Sequence, residues 1–179
     1  MKKIAFVISG LNKTGGIETV VKVIALKLKE NYEIVTIGVD NVDNINNINF
    51  VARKYDNVKE KLVSTCIRGI NKYTNLLSYN YNILEKYYFS KETQKKLLSI
   101  LIDYNIDVCI GVAGYNSMLL GKIAPYTRTK CIGWQHNSYE AYFENKYRYL
   151  WHQNTLFSKL FNNLDSYVVL NQHDAGMLS

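Results

Sequence analysis

The sequence predicts an α/β domain of three layers, with a mainly parallel sheet of about six strands and helices on both faces. Two observations carry this. Short, near-continuous Ile/Val runs recur along the 179 residues, and longer stretches of helical periodicity separate them. The first run, Ile4 to Ile8, leads through a polar loop with three glycines, Ser9 to Gly16, into an amphipathic stretch that opens at Ile17. A strand, a glycine loop and a helix start, in that order, make an anion-binding device: the first N–H groups of the helix are unpaired and its dipole favours negative charge there.

The remaining elements follow in order. Ile17, Val20, Val21, Ile24, Ala25 and Leu28 fall on one helical stripe. Glu33 to Val39 reads as a second strand, Asn41 to Asn49 is rich in turn formers, and Ile48 to Val51 reads as a short third strand. Residues 56–80 read as a helix with Val58, Leu62, Val63, Cys66, Ile67, Ile70 and Leu77 near one face. Ser90 caps a further helix carrying Leu97, Leu98, Leu101 and Ile102. Asp107 to Val112 is a fourth strand, with a short helix after Asn116 that ends near Pro125. Lys130 to Trp134 is a fifth strand, residues 146–163 read as a helix, and Asp165 to Leu170 is a sixth strand. Asn171 to Ser179 begins a new turn or helix. Strands alternating with helices imply right-handed crossovers and parallel pairing.

Composition narrows the class. Hydrophobic residues make up 47%, which suits one sizeable folded core. Cys66, Cys109 and Cys131 are odd in number and far apart, and two lie in apolar strand runs, so they read as thiols rather than disulfides or ligands. No CxxC or zinc-type histidine spacing occurs. Met1-Lys2-Lys3 and the apolar run after it lack a small-residue cleavage site and read as the first strand of a cytoplasmic protein. No apolar stretch reaches the roughly 20 residues of a membrane span.

The glycine loop fits no complete phosphate motif. Gly10 and Gly15 have P-loop spacing, but Gly16 stands where lysine belongs and Ile17 where the hydroxyl belongs. G-x-G-x-x-G is absent. Two glycines before a helix also suit a simple tight turn, and both readings stay open on the loop alone. Tyr55/Lys59 and Tyr142/Lys146 match the Tyr-x-x-x-Lys of short-chain dehydrogenases, but the glycine loop that fold requires is missing. No metal-binding Asp-x-Asp exists.

Five segments, in order and spacing, resemble the N-terminal, acceptor-side domain of a GT-B glycosyltransferase of the family-4 type. They are MKKIAFVISGLNKTGGIETVVKVIALKLK, YEIVTIGV, DVCIGVAG, CIGWQHNS and DSYVVLNQHD. Residues 53–100 carry none of the resemblance. It implies a single Rossmann-like half-molecule over residues 1–179, a helical, basic, tyrosine-rich insertion at 53–100, and a C-terminal donor-binding domain that is absent. It implies retaining transfer of a hexose from a nucleotide-sugar to a glycan or lipid-linked acceptor in bacterial cell-surface polysaccharide synthesis. The nucleotide-sugar is a co-substrate; no cofactor and no metal are implied. Gly15 and Gly16 are expected to approach the donor diphosphate, and His136 to face the reacting sugar as the catalytic-site residue. Gln135 and Asn137 are expected to bond sugar hydroxyls, with Asn12, Glu18, Tyr115, Asn116 and Asn171 lining the acceptor side. Gln172 replaces the glutamate that the family usually carries after the position of Asn171. A chain lacking the second domain is expected to be inactive by itself and to bind nucleotide-sugar weakly. The alternative is a non-catalytic nucleotide- or sugar-binding module, or the split-subunit partner of a transferase.

Charge is concentrated. Between 51 and 100 ten cations face four anions, so this segment holds +6 of the chain's +7, interleaved with six aromatic residues from Tyr73 to Phe89. Such a segment suits peripheral docking on the inner, anionic face of a membrane through residues 53–96, or a solvated helical face with tyrosines turned to the core. No nucleic-acid motif accompanies the charge, so no nucleic-acid partner is expected.

Overall fold

The computed structural model describes residues 1–8, 15–38, 45–51, 55 and 57–178. Six strands form one sheet: β1 (Lys3–Val7), β2 (Glu33–Gly38), β3 (Asn46–Asn49), β4 (Val108–Val112), β5 (Lys130–Trp134) and β6 (Ser166–Val168). Their order is β3-β2-β1-β4-β5-β6, and every neighbouring pair is parallel. The helices are α1 (Gly16–Leu28), α2 (Val58–Thr74), α3 (Tyr81–Tyr88), α4 (Lys91–Asp103), α5 (Ala113–Ile123), α6 (Tyr139–Phe143), α7 (Asn154–Phe161) and α8 (Gln172–Leu178). This is the three-layer, Rossmann-like arrangement that the alternation of runs predicts.

Strand alternation divides the core. Ala5 and Val7 join Leu84, Leu97, Met118, Leu119 and Leu156 on one face of the sheet, so α3, α4, α5 and α7 pack there. Ile4, Phe6 and Ile8 join Val21 and Ala25 of α1 on the other. Two aspartates just ahead of strands pin the register. Asp107 Oδ2 accepts the Lys3 N–H of β1 at 2.7 Å, and Asp165 Oδ2 accepts the Cys131 N–H of β5 at 2.7 Å. A one-residue slip would break these bonds and turn the apolar set to the wrong face. Cys109 and Cys131 stand opposite each other in the β4–β5 register as buried free thiols, and burial pushes the Cys131 thiol up to about 12.

Several elements differ from the sequence expectation for identifiable reasons. Part of the expected face of α2 is turned outward: Val58, Leu62, Cys66 and Ile70 are exposed, while Ile67 and Leu77 pack against the core and Ser64 and Asn71 are buried. Here α2 also docks through polar groups. Asn71 Nδ2 donates to the His152 carbonyl at 2.7 Å, and His152 Nδ1 lies 3.1 Å from the Asn71 carbonyl. The same contact explains why 146–163 is not one helix. Tyr147, Tyr149 and His152 are left-handed (φ 61, 41 and 60), and only Asn154–Phe161 is helical. The helix expected after Asn116 begins at Ala113 instead, directly out of β4, with Ala113 at φ 67. Val39, at the end of the expected second strand, lies outside the described residues.

Two helical glycines separate packing from other demands. A Cβ on Gly121 of α5 would run into the Leu160 carbonyl of α7, whereas a Cβ on Gly69 of α2 meets nothing within 4 Å. Gly121→Ala is expected to lose about 1–3 kcal/mol by overpacking, while Gly69→Ala is expected to gain about 0.5–1 kcal/mol from helix propensity. Urea melts of the two variants check this; equal signs for the two would refute the packing assignment.

Candidate functional site

In a sheet of this order the connections leave β1 and β4 toward opposite faces, and a crevice opens at their carboxyl ends. The chain places α1 on one side of that crevice and α5 on the other. Gly15 precedes α1 in extended conformation and offers no side-chain cap. Gly16 is exposed, has an ordinary negative φ, and has open space around its Cβ direction. Neither its backbone conformation nor its packing demands glycine. The Glu18 carboxylate folds back against Gly15, in the first turn of α1, where the helix dipole favours an anion.

The β5 end supplies Gln135, His136 and Asn137. Gln135 is fully buried; its N–H donates to the Val168 carbonyl of β6 at 2.8 Å, and neither side-chain polar atom has a partner among the described residues. The His136 ring packs 4.2 Å from the Trp134 ring, and its Nε2 is buried with no partner among the described residues. Burial lowers the His136 pKa below the ordinary 6.5, with the nearby Glu18 carboxylate working in the opposite direction. The Glu18 charge is therefore near enough to be felt at the His136 ring.

Tyr142 of α6 fixes this end of the sheet. Its hydroxyl accepts the Gly114 N–H at 3.1 Å; burial pushes its pKa up, and the nearby His136 backbone and Asn137 side chain work in the opposite direction. One phenol thus ties the start of α5 to the loop after β5. Sequence reading met Tyr142 only as half of a dehydrogenase-like pair, because its partners are 28 residues upstream and on the preceding loop.

A cavity of about 490 Å³ opens beside these residues. Ile17 of α1, Gly114 and Tyr115 of α5, and Asn137 line one side. Thr65, Arg68, Gly69 and Lys72 of α2 line another, at the i, i+3, i+4, i+7 spacing of one helical stripe. Tyr147, Arg148, Tyr149 and Trp151 come from the left-handed segment. The chain's own sequence carried a signal for the α2 wall, in a glycine at mid-helix flanked by cations four residues apart. It carried none for Trp151 and Gln153, which lie in a span of helical periodicity.

The expected site residues divide accordingly. Gly15, Gly16, Glu18, His136 and Asn137 gather around the crevice, and Tyr115 lines the cavity while its hydroxyl donates to the Tyr88 carbonyl at 3.3 Å. Asn116 is buried, with its amide bonded to the Val112 carbonyl, and does not line the cavity. Asn171 caps α8 by accepting the Asp174 N–H at 2.8 Å. Asn12 lies outside the described residues. Among the described residues no group of three His, Cys, Asp or Glu side chains is placed to hold a metal, and no helix is long and apolar enough to cross a membrane.

No family model matches the chain, and no curated protein matches it. Among solved structures it is similar to a Listeria monocytogenes protein assigned as a UDP-N-acetylglucosamine 2-epimerase, at 11% identity and a TM-score of 0.56 over 99% of this chain. The likeness establishes the fold. It is Rossmann-like, of the GT-B-like kind. The chain spans 41% of the length of that structure.

His136 favours the neutral imidazole in the folded state. It therefore contributes stability above pH 6.5 that is lost as pH falls through its lowered folded value. An NMR titration should place His136 below 6.5, and Glu18→Gln should lower it further by removing the opposing charge. A value unmoved by Glu18→Gln would show that the carboxylate does not reach the imidazole.

Proposed function

We propose that this chain forms the acceptor-side half of a retaining glycosyltransferase that uses a nucleotide-sugar donor. One observation carries the reading: the uncapped start of α1, the His136–Glu18 pair and the aromatic cavity all open on the same end of the sheet. The likeness to a sugar-nucleotide enzyme in fold agrees with it. In this reading the bare backbone of Gly15 and Gly16 leaves room for the donor diphosphate, whose developing charge the α1 N-terminus stabilises. Glu18, which occupies that position without ligand, moves aside. His136, held neutral, donates a hydrogen bond to the sugar or the departing oxygen. Asn137 and the cavity hold the acceptor. Gln135 braces the β5 end from within.

The neighbour's assignment favours a second reading, epimerisation of a nucleotide-sugar. The two differ in products. Transfer consumes an acceptor and releases nucleoside diphosphate, while epimerisation interconverts two nucleotide-sugars without either. The full-length protein incubated with labelled nucleotide-sugars, with and without glycan acceptors, decides between them. Acceptor-dependent release of nucleoside diphosphate is expected, and His136→Ala should lower kcat/KM by roughly 10²-fold. Acceptor-independent inversion, or unchanged turnover in His136→Ala, would overturn the proposal.

We also infer that α2 faces an anionic membrane during this reaction. Its outward stripe of Val58, Leu62, Cys66, Ile70 and Tyr73 is flanked by Lys59, Lys61 and Lys72, with Val58 73% and Tyr73 66% exposed. Apolar residues between lysines on a solvent-facing helix match the interface of an acidic bilayer. Arg53 and Lys54, counted in the same basic segment, lie outside the described residues. Sedimentation with phosphatidylglycerol vesicles should exceed that with neutral vesicles and should fall at least several-fold in Leu62→Asp. Equal sedimentation with both vesicle types would sink the idea.

A further inference from the structure

The cavity beside the crevice carries a recognition code of its own. Its α2 wall presents Arg68 and Lys72, and the facing segment presents Arg148. Among the described residues no aspartate or glutamate lines it, and none of these three cations forms an ion pair there. Elsewhere the chain does pair its cations: Glu85 holds both Lys122 and Lys159 between α3, α5 and α7.

Two further groups in the same wall want hydrogen bonds. Gln153 is 7% exposed, and its Oε1 has no donor. The Trp151 indole N–H is buried without an acceptor. A buried polar atom left unpaired is costly, and native structures keep few of them outside ligand sites. A small side-chain rotation that uncovers them would let hydroxyl groups, which both donate and accept, satisfy the pair. Tyr115, Tyr147, Tyr149 and Trp151 supply flat apolar faces of the kind that pack on a sugar ring.

Gly69 completes the pattern. It sits in the middle of α2, where glycine weakens a helix, at an ordinary φ and with nothing near its Cβ direction. No packing contact among the described residues accounts for it. It leaves the cavity wall bare between Arg68 and Lys72.

We propose that this cavity binds a sugar carrying an anionic group, a phosphate or a carboxylate, with Arg68, Lys72 and Arg148 holding the anion and Trp151, Gln153 and the tyrosines holding the ring. The proposal rests on the acceptor-side reading above and names the acceptor's class: an anionic glycoside rather than a neutral one. Arg68 is already oriented for the task, with its Nε donating to the Ser64 carbonyl at 3.1 Å, which fixes the guanidinium along the helix. Guanidinium groups read phosphate and carboxylate through paired donors, so lysine is not an equivalent replacement.

The test is an NMR titration of the full chain with glucose 1-phosphate, glucuronic acid, methyl glucoside, inorganic phosphate and phosphatidylglycerol vesicles. The reporter is the Trp151 indole N–H, assigned with Trp134→Phe, since the chain has two tryptophans. One of the two anionic sugars should shift that resonance saturably and bind at least tenfold more tightly than methyl glucoside or inorganic phosphate. Preference between the two tells phosphate from carboxylate. Arg68→Gln and Arg148→Gln should each weaken that binding at least fivefold, and Gly69→Leu, which keeps a good helix former, should weaken it at least tenfold. Methyl glucoside binding as tightly as the anionic sugars would overturn the proposal, as would unchanged affinity in both arginine variants. So would a Trp151 shift produced by the vesicles alone, which would assign the cations to a lipid headgroup. Transfer to neutral acceptors by the full-length protein, unaffected by Arg68→Gln, would leave the transferase reading standing and remove this one. Tight binding of an anionic sugar without any transfer would do the reverse.

Discussion

Everything at the functional end of this molecule hangs on one phenol. The Tyr142 hydroxyl accepts the Gly114 N–H at 3.1 Å and lies close to the His136 backbone and the Asn137 side chain, and so brings the ends of β4 and β5 together. Parallel strands are tied along their length by the ladder, but their carboxyl ends diverge into loops that the ladder does not hold. A buried hydrogen bond that satisfies a helix-start N–H replaces that missing constraint. Tyr142 is itself anchored by burial, with Phe143 edge-on to it at 6.3 Å and Tyr149 at 5.9 Å. The positions of His136 and Asn137, and through Gly114 the mouth of the cavity, follow from this arrangement.

The second constraint is polar. Helix α2 reaches the domain through Asn71 and His152 as well as through Ile67, which packs against the core, and Ser78 adds a 2.8 Å bond to the same His152 carbonyl. Two consequences follow. The stripe of Val58, Leu62, Cys66 and Ile70 remains exposed to solvent, and the flank bearing Arg68 and Lys72 becomes the cavity wall. The left-handed residues Tyr147, Tyr149 and His152 form the other wall, and each stores backbone strain that the stacked Trp151–His152 rings and the Asn71 bonds offset. A hydrophobic docking of α2 would have buried its stripe and closed this space.

Much of the architecture was legible in the order of residues. Lys3 to Val7, Glu33 to Gly38, Val108 to Val112 and Lys130 to Trp134 are strands because buried parallel strands require unbroken β-branched and apolar runs, and such runs are visible without a structure. Ser90 was legible as a helix cap for the same local reason, and its side chain accepts the Thr93 N–H at 3.1 Å. Around the crevice, the gathering of Gly16, Glu18 and His136 was legible from strand ends, since ligand crevices form where the connections of a parallel sheet part. Asn116 and Asn171 stood on the same strand-end loops in sequence, yet their amides serve Val112 and Asp174.

The sequence by itself determined the sheet, its parallel sense and, to within one residue, the start of α1, read at Ile17 and found at Gly16, because these depend on periodicity and on residues within one or two turns of each other. Only the tertiary structure decided the outward face of α2, the break at Tyr147 to His152, the Tyr142 clasp and the cavity that Arg68, Arg148, Trp151 and Gln153 share. Those features rest on hydrogen bonds between residues as far as 81 positions apart, such as Asn71 to His152. Local periodicity cannot report such bonds, since an amphipathic stripe reads the same whether it meets a core, a membrane or water.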